Sequence, residues 1–173
     1  QKLIYNDIRK FGFIKFIKRV NLNENTHLKH LGPEPLSSKF NMEYFKNYMA
    51  GKKRTIKDLL MDQKFISGLG NIYVNEILFF SGVKPTKRIK KLKDFEIQKI
   101  VKFSKKIIAK AITLGGSSIK NFSSSSGKKG SFQQYFSVYG KKGKNCTKVK
   151  CVGKIEKIVI ANRASFFCNK CQK

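Results

Sequence analysis

The sequence predicts an α+β protein in three stretches: a short β-rich start, a helical middle and a cysteine-bracketed β-hairpin at the end. Three observations carry that prediction. The apolar period changes from two to a helical spacing near Leu36, glycines punctuate the helical pattern at Gly51, Gly82 and Gly115-Gly116, and the four cysteines are confined to the segment from Cys146 to Cys171. A chain of 173 residues can bury one good core plus a small appended unit. With 40% hydrophobic and 12% aromatic residues it carries enough apolar surface to exclude wholesale disorder.

Each element follows in order. Residues 1–20 alternate apolar and polar positions around Asn6-Asp7 and Gly12, which predicts strands joined by a turn. Phe40, Tyr44, Phe45 and Tyr48 then fall on one helical face, with Asn41 as cap and Gly51 as stop. Further helices are predicted over 56–61, 71–80 and 95–114. Residues 117–130 are rich in Ser and Gly and too polar to pack, so a mobile loop is expected there. β-type runs follow at 136–139, 155–160 and 164–167.

Charge is the outlier, because 38 Lys and Arg against 10 Asp and Glu give a formal net charge of +28. A polyanionic partner accounts for this. A Lys-rich composition with mostly solvated side chains, as an AT-rich genome would produce, accounts for it too. No apolar run reaches the roughly 18 residues of a spanning helix, so no membrane partner is expected. The first residues, Gln1-Lys2-Leu3-Ile4-Tyr5, lack an initiator Met and a signal-peptide pattern, so the chain reads as cut from something longer.

The cysteines read Cys146-x4-Cys151, sixteen residues, then Cys168-x2-Cys171. Two close pairs separated by a hairpin can aim four thiolates at one centre, and four soft ligands leave no open position, so one structural Zn2+ is expected. Unrelated free thiols or disulfides are the alternative. The hairpin between the pairs turns at residues 161–163 and places Arg163 at its tip, where a guanidinium can fork onto a phosphate or simply stand in solvent.

The stretch from Lys52 to Glu76 holds a second candidate. Gly68 and Gly70 permit a tight double turn with positive φ, Asn71 can cap the helix that follows, and Lys57 on the preceding helix can close on a phosphate held at that helix start. An ordinary helix connection explains the turn equally well.

Ile56-Lys57 followed by Gly68-Leu69-Gly70-Asn71-Ile72-Tyr73-Val74-Asn75-Glu76 resembles the helix-two-turns-helix signature of the formamidopyrimidine-DNA glycosylase family. The stretches Asp7-Ile8-Arg9-Lys10-Phe11-Gly12, His30-Leu31-Gly32-Pro33-Glu34-Pro35-Leu36, Gly115-Gly116-Ser117-Ser118-Ile119-Lys120-Asn121-Phe122, Val138-Tyr139-Gly140-Lys141-Lys142-Gly143 and the terminal cysteine finger occur in that family's order. The resemblance implies three domains: a remnant of an N-terminal β-sandwich over 1–22, a helix-two-turns-helix DNA-binding domain with lesion loop over 23–134, and a four-cysteine zinc finger over 135–173.

It also implies roles. Lys57 and Asn71 would clamp a phosphate beside a lesion, with Lys53 as a further backbone contact. Arg9 and Phe11, with Lys10 between them, would fill the gap left by a flipped base, Phe11 as a wedge; a core-strand position is the alternative for Phe11. Extrusion of a base costs a few kcal/mol of stacking that such an insertion replaces. Lys120 would lie near the damaged base under a flexible lid. Arg163 would contact phosphate, and the family assigns it the second elimination; an arginine is too basic to give up a proton readily, so stabilising phosphate and leaving group is the sounder role.

Ile8 and Lys10 replace the family's more usual Pro and Arg, and its first cysteine pair usually encloses two residues, not four. The family's nucleophile, an N-terminal Pro amine followed by Glu, is not among these residues. The implied activity is base-excision repair, a glycosylase and AP lyase on oxidised purines (8-oxoguanine and formamidopyrimidines), with this chain as the portion that binds damaged double-stranded DNA and zinc, inactive alone. A bacterial, cytoplasmic and nucleoid-associated monomer is the expected setting. Two alternatives stay open: an endonuclease VIII-like glycosylase for oxidised pyrimidines, and a non-catalytic zinc-finger nucleic-acid-binding protein.

Overall fold

The computed structural model describes residues 4, 5, 7, 10–22, 24–117 and 130–173, which form two compact units, 1–30 and 31–173.

In the first unit the turn is as expected and the strands are not. Asp7 organises the turn: its carboxylate accepts from Gly12 N at 2.6 Å, its carbonyl accepts from Lys10 N at 3.2 Å, and Lys10 adopts a left-handed φ of 54°. No strand is present among the described residues of this unit, and the only regular element there is a 3-10 turn, Arg19–Asn21. Alternation sets which face a strand would bury, but a strand exists only where another pairs its N–H and C=O groups. Ile4, Phe13, Phe16 and Val20 are correspondingly exposed.

The second unit is built on four helices: α1 (Met42–Met49), α2 (Ile56–Leu60), α3 (Asn71–Ser81) and α4 (Asp94–Thr113). Side-chain contacts fix the starts of α1, α2 and α4. Asn41 Oδ1 accepts from Tyr44 N at 2.9 Å for α1, Thr55 Oγ1 accepts from Asp58 N at 3.2 Å for α2, and Glu96 reaches back to Lys93 N at 2.9 Å for α4. Ile97, Ile100, Ser104, Ile107 and Ala111 form the buried stripe of α4, whereas α3 is buried continuously from Val74 to Phe79 and lies at the centre. Phe40, Phe45 and Phe65 interlock at 5.0–6.4 Å between ring centroids and close the core below α2.

Strands β1 (Ile155–Ile160) and β2 (Arg163–Cys168) pair antiparallel, with Ile160 opposite Arg163. The two linking residues, Ala161 and Asn162, have φ of 47° and 58°, the pair of left-handed conformations that matches the twist of a two-residue hairpin. The small core of this hairpin, Val138, Ile155, Phe166 and Cys168, is completed by Phe79 from α3. The finger is thus packed onto the helical body, and at its end Gln172 Nε2 donates to Val83 O at 2.8 Å while Lys84 N donates to Lys173 O at 3.0 Å.

Two expectations change here. Residues 136–139 form a turn rather than a strand, because the N–H groups of Ser137, Val138 and Tyr139 all converge on the carboxylate of Glu76, at 2.8, 3.0 and 2.9 Å. Consecutive N–H groups of a strand point to opposite sides, so three on one anion require a curled backbone. Gly68 alone takes a positive φ, 79°, while Gly70 is extended and is itself the N-cap of α3. Asn71 therefore opens the helix without capping it.

Candidate nucleic-acid interface

Lys57 faces inward from α2 among Ile56, Leu59 and Leu60, and is only 1% exposed. Its aliphatic stem runs through the core and its ammonium emerges at the start of α3, where Nζ donates to Asn71 Oδ1 at 2.6 Å. The amide of Asn71 is held from its other end, since Nδ2 donates to Ala164 O of β2 at 3.0 Å. With Oδ1 taken by Lys57 and Gly70 in the cap position, Asn71 does not cap its helix.

Arg163 stands exposed at the first position of β2. Burial, and then the positive charge of Arg163, push the Lys57 ammonium down to about 7. Lys57, only partly charged near neutral pH, and Arg163, next to the Ala164 carbonyl that Asn71 holds, thus stand near a helix start whose first backbone rung, Val74 N to Gly70 O at 3.1 Å, leaves the preceding N–H groups directed outward. The charges repel each other and the helix dipole opposes both. An anion placed among Lys57, Asn71, the α3 N-terminus and Arg163 would relieve all three.

The other residues singled out from the sequence lie elsewhere. Lys53 is exposed in a depression lined by Lys52, Arg54, Arg88 and Lys90. Arg54 lines it with its charge already paired, bound to Asp58 at 2.7 Å and Asp62 at 2.6 Å. Lys10 and Phe11 belong to the first unit, and Phe11 is 77% exposed, so it does not occupy a core-strand position there. Arg9 and Lys120 fall outside the described residues, as does most of the expected loop at 117–130.

The four cysteines converge. All their sulfurs lie within 4.8 Å of one another, with Cys146 to Cys171 at 3.7 Å and Cys151 to Cys168 at 3.6 Å. Four thiolates about 2.3 Å from a common tetrahedral centre stand about 3.8 Å apart, whereas a disulfide requires about 2.05 Å. The set can bind a metal ion. Although burial opposes its ionisation, N–H groups of Cys171 and Lys170 hold the Cys168 thiol down at about 7, and burial raises that of Cys171. Gly153 packs against the cluster so closely that a Cβ there would come within 2.5 Å of Cys168 Sγ.

Asn75, Glu76 and Lys148 were not singled out from the sequence. The first two are polar positions inside the apolar run 74–79, and a polar pair on a buried helix must find partners. Lys148 lies within the widened first cysteine pair and donates to Phe79 O at the end of α3, at 2.8 Å.

Residues 31–123 match the formamidopyrimidine-DNA glycosylase H2TH domain family, which is more than half of the chain. This chain belongs to the formamidopyrimidine-DNA glycosylase family. It is 43% identical over 171 residues to a formamidopyrimidine-DNA glycosylase of Haemophilus influenzae, a match covering 99% of this chain and 62% of that protein. Among solved structures it is similar to the MutM (Fpg) protein of Thermus thermophilus, with a TM-score of 0.87 and 34% identity over 96% of this chain and 62% of that one. It is equally similar, at TM-score 0.87, to a Lactococcus lactis Fpg variant in complex with DNA containing Fapy-dG, with 36% identity over 96% of this chain and 60% of that one. The chain therefore spans about three fifths of these glycosylases. Among its described residues no helix is long and apolar enough to cross a membrane.

Proposed function

We propose that this chain is the DNA-holding portion of a base-excision repair glycosylase and AP lyase that removes oxidised purines, 8-oxoguanine and formamidopyrimidines, from damaged duplex DNA. The observation that carries the reading is the convergence of Lys57, Asn71 and Arg163 at the start of α3. A backbone phosphate beside the lesion takes that position: Lys57 supplies a desolvated ammonium, Asn71 an amide, the helix its N–H groups, and Arg163 a fork from the finger. Arg9 and Phe11 fill the gap in the duplex left by the everted base, with Lys10 on the adjoining backbone, Lys53 contacts the flanking backbone, and Lys120 lies near the extruded base.

Zn2+ is the ion of the four-cysteine site, bound as a structural centre with no open position. It keeps the hairpin folded, and so keeps Arg163 in place. In the family that this chain belongs to, the attacking group at the sugar C1′ is taken to be the secondary amine of an N-terminal Pro. In this reading Lys57, Asn71, Arg163 and the residues that fill the gap in the duplex hold the DNA and do not supply that amine. Binding is that of a monomer to one lesion.

The test is titration of the chain with fluorescently labelled duplexes carrying 8-oxoguanine, an oxidised pyrimidine or no lesion, alongside borohydride treatment. Tighter binding to the oxidised-purine duplex, lost in Lys57→Ala and Arg163→Ala, is the expected result. Equal affinity for all three duplexes would overturn the lesion assignment, and borohydride cross-linking of these residues would overturn the statement that they do not attack. Metal analysis that finds iron or no metal in the folded chain would overturn the zinc assignment.

A further inference from the structure

We propose that Asn75 is a positioning residue that sets the distance between Arg163 on the finger and the Lys57–Asn71 pair on the helical body. The inference rests on the reading that these three residues hold one phosphate.

Asn75 lies one turn after Asn71 on α3 and is fully buried. Its Nδ2 donates to Asn71 O at 2.7 Å and approaches Asn71 Oδ1 at 3.4 Å, while its Oδ1 accepts from Phe166 N of β2 at 2.7 Å. Two residues earlier on β2, Ala164 O accepts from Asn71 Nδ2 at 3.0 Å. Residues 164 and 166 direct their backbone groups to the same edge of the strand, while Arg163 and Ser165 lie opposite Ile160 and Ile158 of β1. The side chains of Asn71 and Asn75 therefore take the place of a third strand along the free edge of β2.

That arrangement fixes the register of β2 on α3. A slip of one residue moves the strand by about 3.3 Å and turns its side chains to the opposite face. Arg163 would then leave the α3 N-terminus. An amide is the group that can do this, because one planar end must donate to the helix while the other accepts from the strand.

The chain itself indicates a substitution that folds. Ser81 and Ser104 are buried in helices with Oγ bonded to the carbonyl four residues back, at 2.7 and 2.8 Å. Asn75→Ser can bond Asn71 O in the same way while giving up Phe166 N. Asn75→Asp retains the acceptor for Phe166 N and gives up the donor.

The experiment is a double-mutant cycle on DNA affinity, with Arg163→Ala measured in the parent, Asn75→Ser and Asn75→Asp backgrounds. Bound metal and thermal unfolding are followed in each. In the parent, Arg163→Ala is expected to weaken binding about tenfold, the scale of one charge-assisted hydrogen bond. In Asn75→Ser the same change is expected to weaken binding less than about twofold, because Arg163 is no longer on target. In Asn75→Asp most of its effect should return. A merely structural role for Asn75 would lower the unfolding temperature and leave the cost of Arg163→Ala equal in every background, which would overturn the inference. If Arg163→Ala costs nothing in the parent itself, the reading of Arg163 as a phosphate contact fails instead.

Discussion

Two basic regions of this chain sit within a few residues of each other in sequence and differ in almost every physical respect. At the start of α3, Lys57 is desolvated, held at 2.6 Å by Asn71, and opposed by Arg163. In the depression around Lys53, the cations Lys52, Lys53, Arg88 and Lys90 are exposed. Lys52 there bonds its own chain, at Tyr48 O, 2.6 Å away. In the first region burial and Arg163 disfavour the charged form of Lys57, and an incoming anion favours it again. In the second, solvent already satisfies the charges, so a phosphate gains little beyond what released counterions supply. A net charge of +28 does not distinguish the two; burial does.

The largest break in the comparison comes from the metal site, since it holds up one side of the first region only. Cys168→Ser, or stripping the metal with a chelator, is expected to unfold the hairpin, release Arg163 and lower affinity for the lesion duplex by roughly a hundredfold or more. Amide exchange should show loss of protection across β1 and β2 while α4 stays protected. Retained affinity with an unfolded hairpin would mean that Arg163 is not a contact. Next in size is Lys57→Met, which keeps the apolar stem and removes the charge. A loss of about ten- to a hundredfold in binding is expected, with unfolding temperature unchanged or raised. A Lys57→Met chain that binds as the parent does would place the phosphate elsewhere.

The contrast between these regions was only partly legible in the sequence. Helices α1 to α4 could be read to within a residue or two because apolar spacing, Asn41 and the stops at Gly51 and Gly82 agree with one another. The hairpin was readable from its β-type runs between the two cysteine pairs. Residues 136–139 misled because alternation specifies a face and says nothing of what will take the N–H groups. Glu76, sixty residues earlier, took them. The apolar pattern of residues 1–20 misled for the same reason, since none of their described residues lies in a paired strand. Lys57 and Asn71 are legible from the Gly-x-Gly turn and the helix start that follows it, and again from likeness to a motif, yet the burial that sets Lys57 apart from Lys53 depends on how α2 meets α3, which no local pattern contains.

Titration of Lys57 gives a pH test with a definite sign. Its ammonium is pushed from the ordinary 10.5 down to about 7 by burial and Arg163, so above pH 7 the free chain holds this amine largely neutral. A bound phosphate restores the proton, and binding above pH 7 takes one up. Affinity should then fall by up to about tenfold per pH unit as pH rises from 7 toward 9, and stay level below 7. Folding responds in the opposite direction: between 7 and 10.5 the unfolded chain holds more protons, so stability attributable to this group rises with pH. Both trends should be taken as differences from Lys57→Met, which cancels titration at the cysteines. A flat difference in affinity from pH 6 to 9 would show that Lys57 is charged before DNA arrives.

The smallest effect is expected in the exposed depression, and it tests whether burial is what separates the two regions. Arg88 Nη1 donates to Lys53 O at 3.3 Å, so removing Arg88 frees the backbone beside Lys53 without touching the core. Arg88→Ala and Lys53→Ala should each weaken binding about twofold at moderate salt and reduce the slope of log affinity against log salt by at most about 0.9, the share of one phosphate contact. Undamaged and damaged duplexes should lose equally, because a solvated cation reads the backbone and not the lesion. Lys57→Met, by contrast, should cost far more affinity than its single charge accounts for in the salt slope. If Arg88→Ala matched Lys57→Met in size, the desolvated geometry at α3 would confer no advantage, and the site would be better described as one broad basic face in which position matters less than the number of charges.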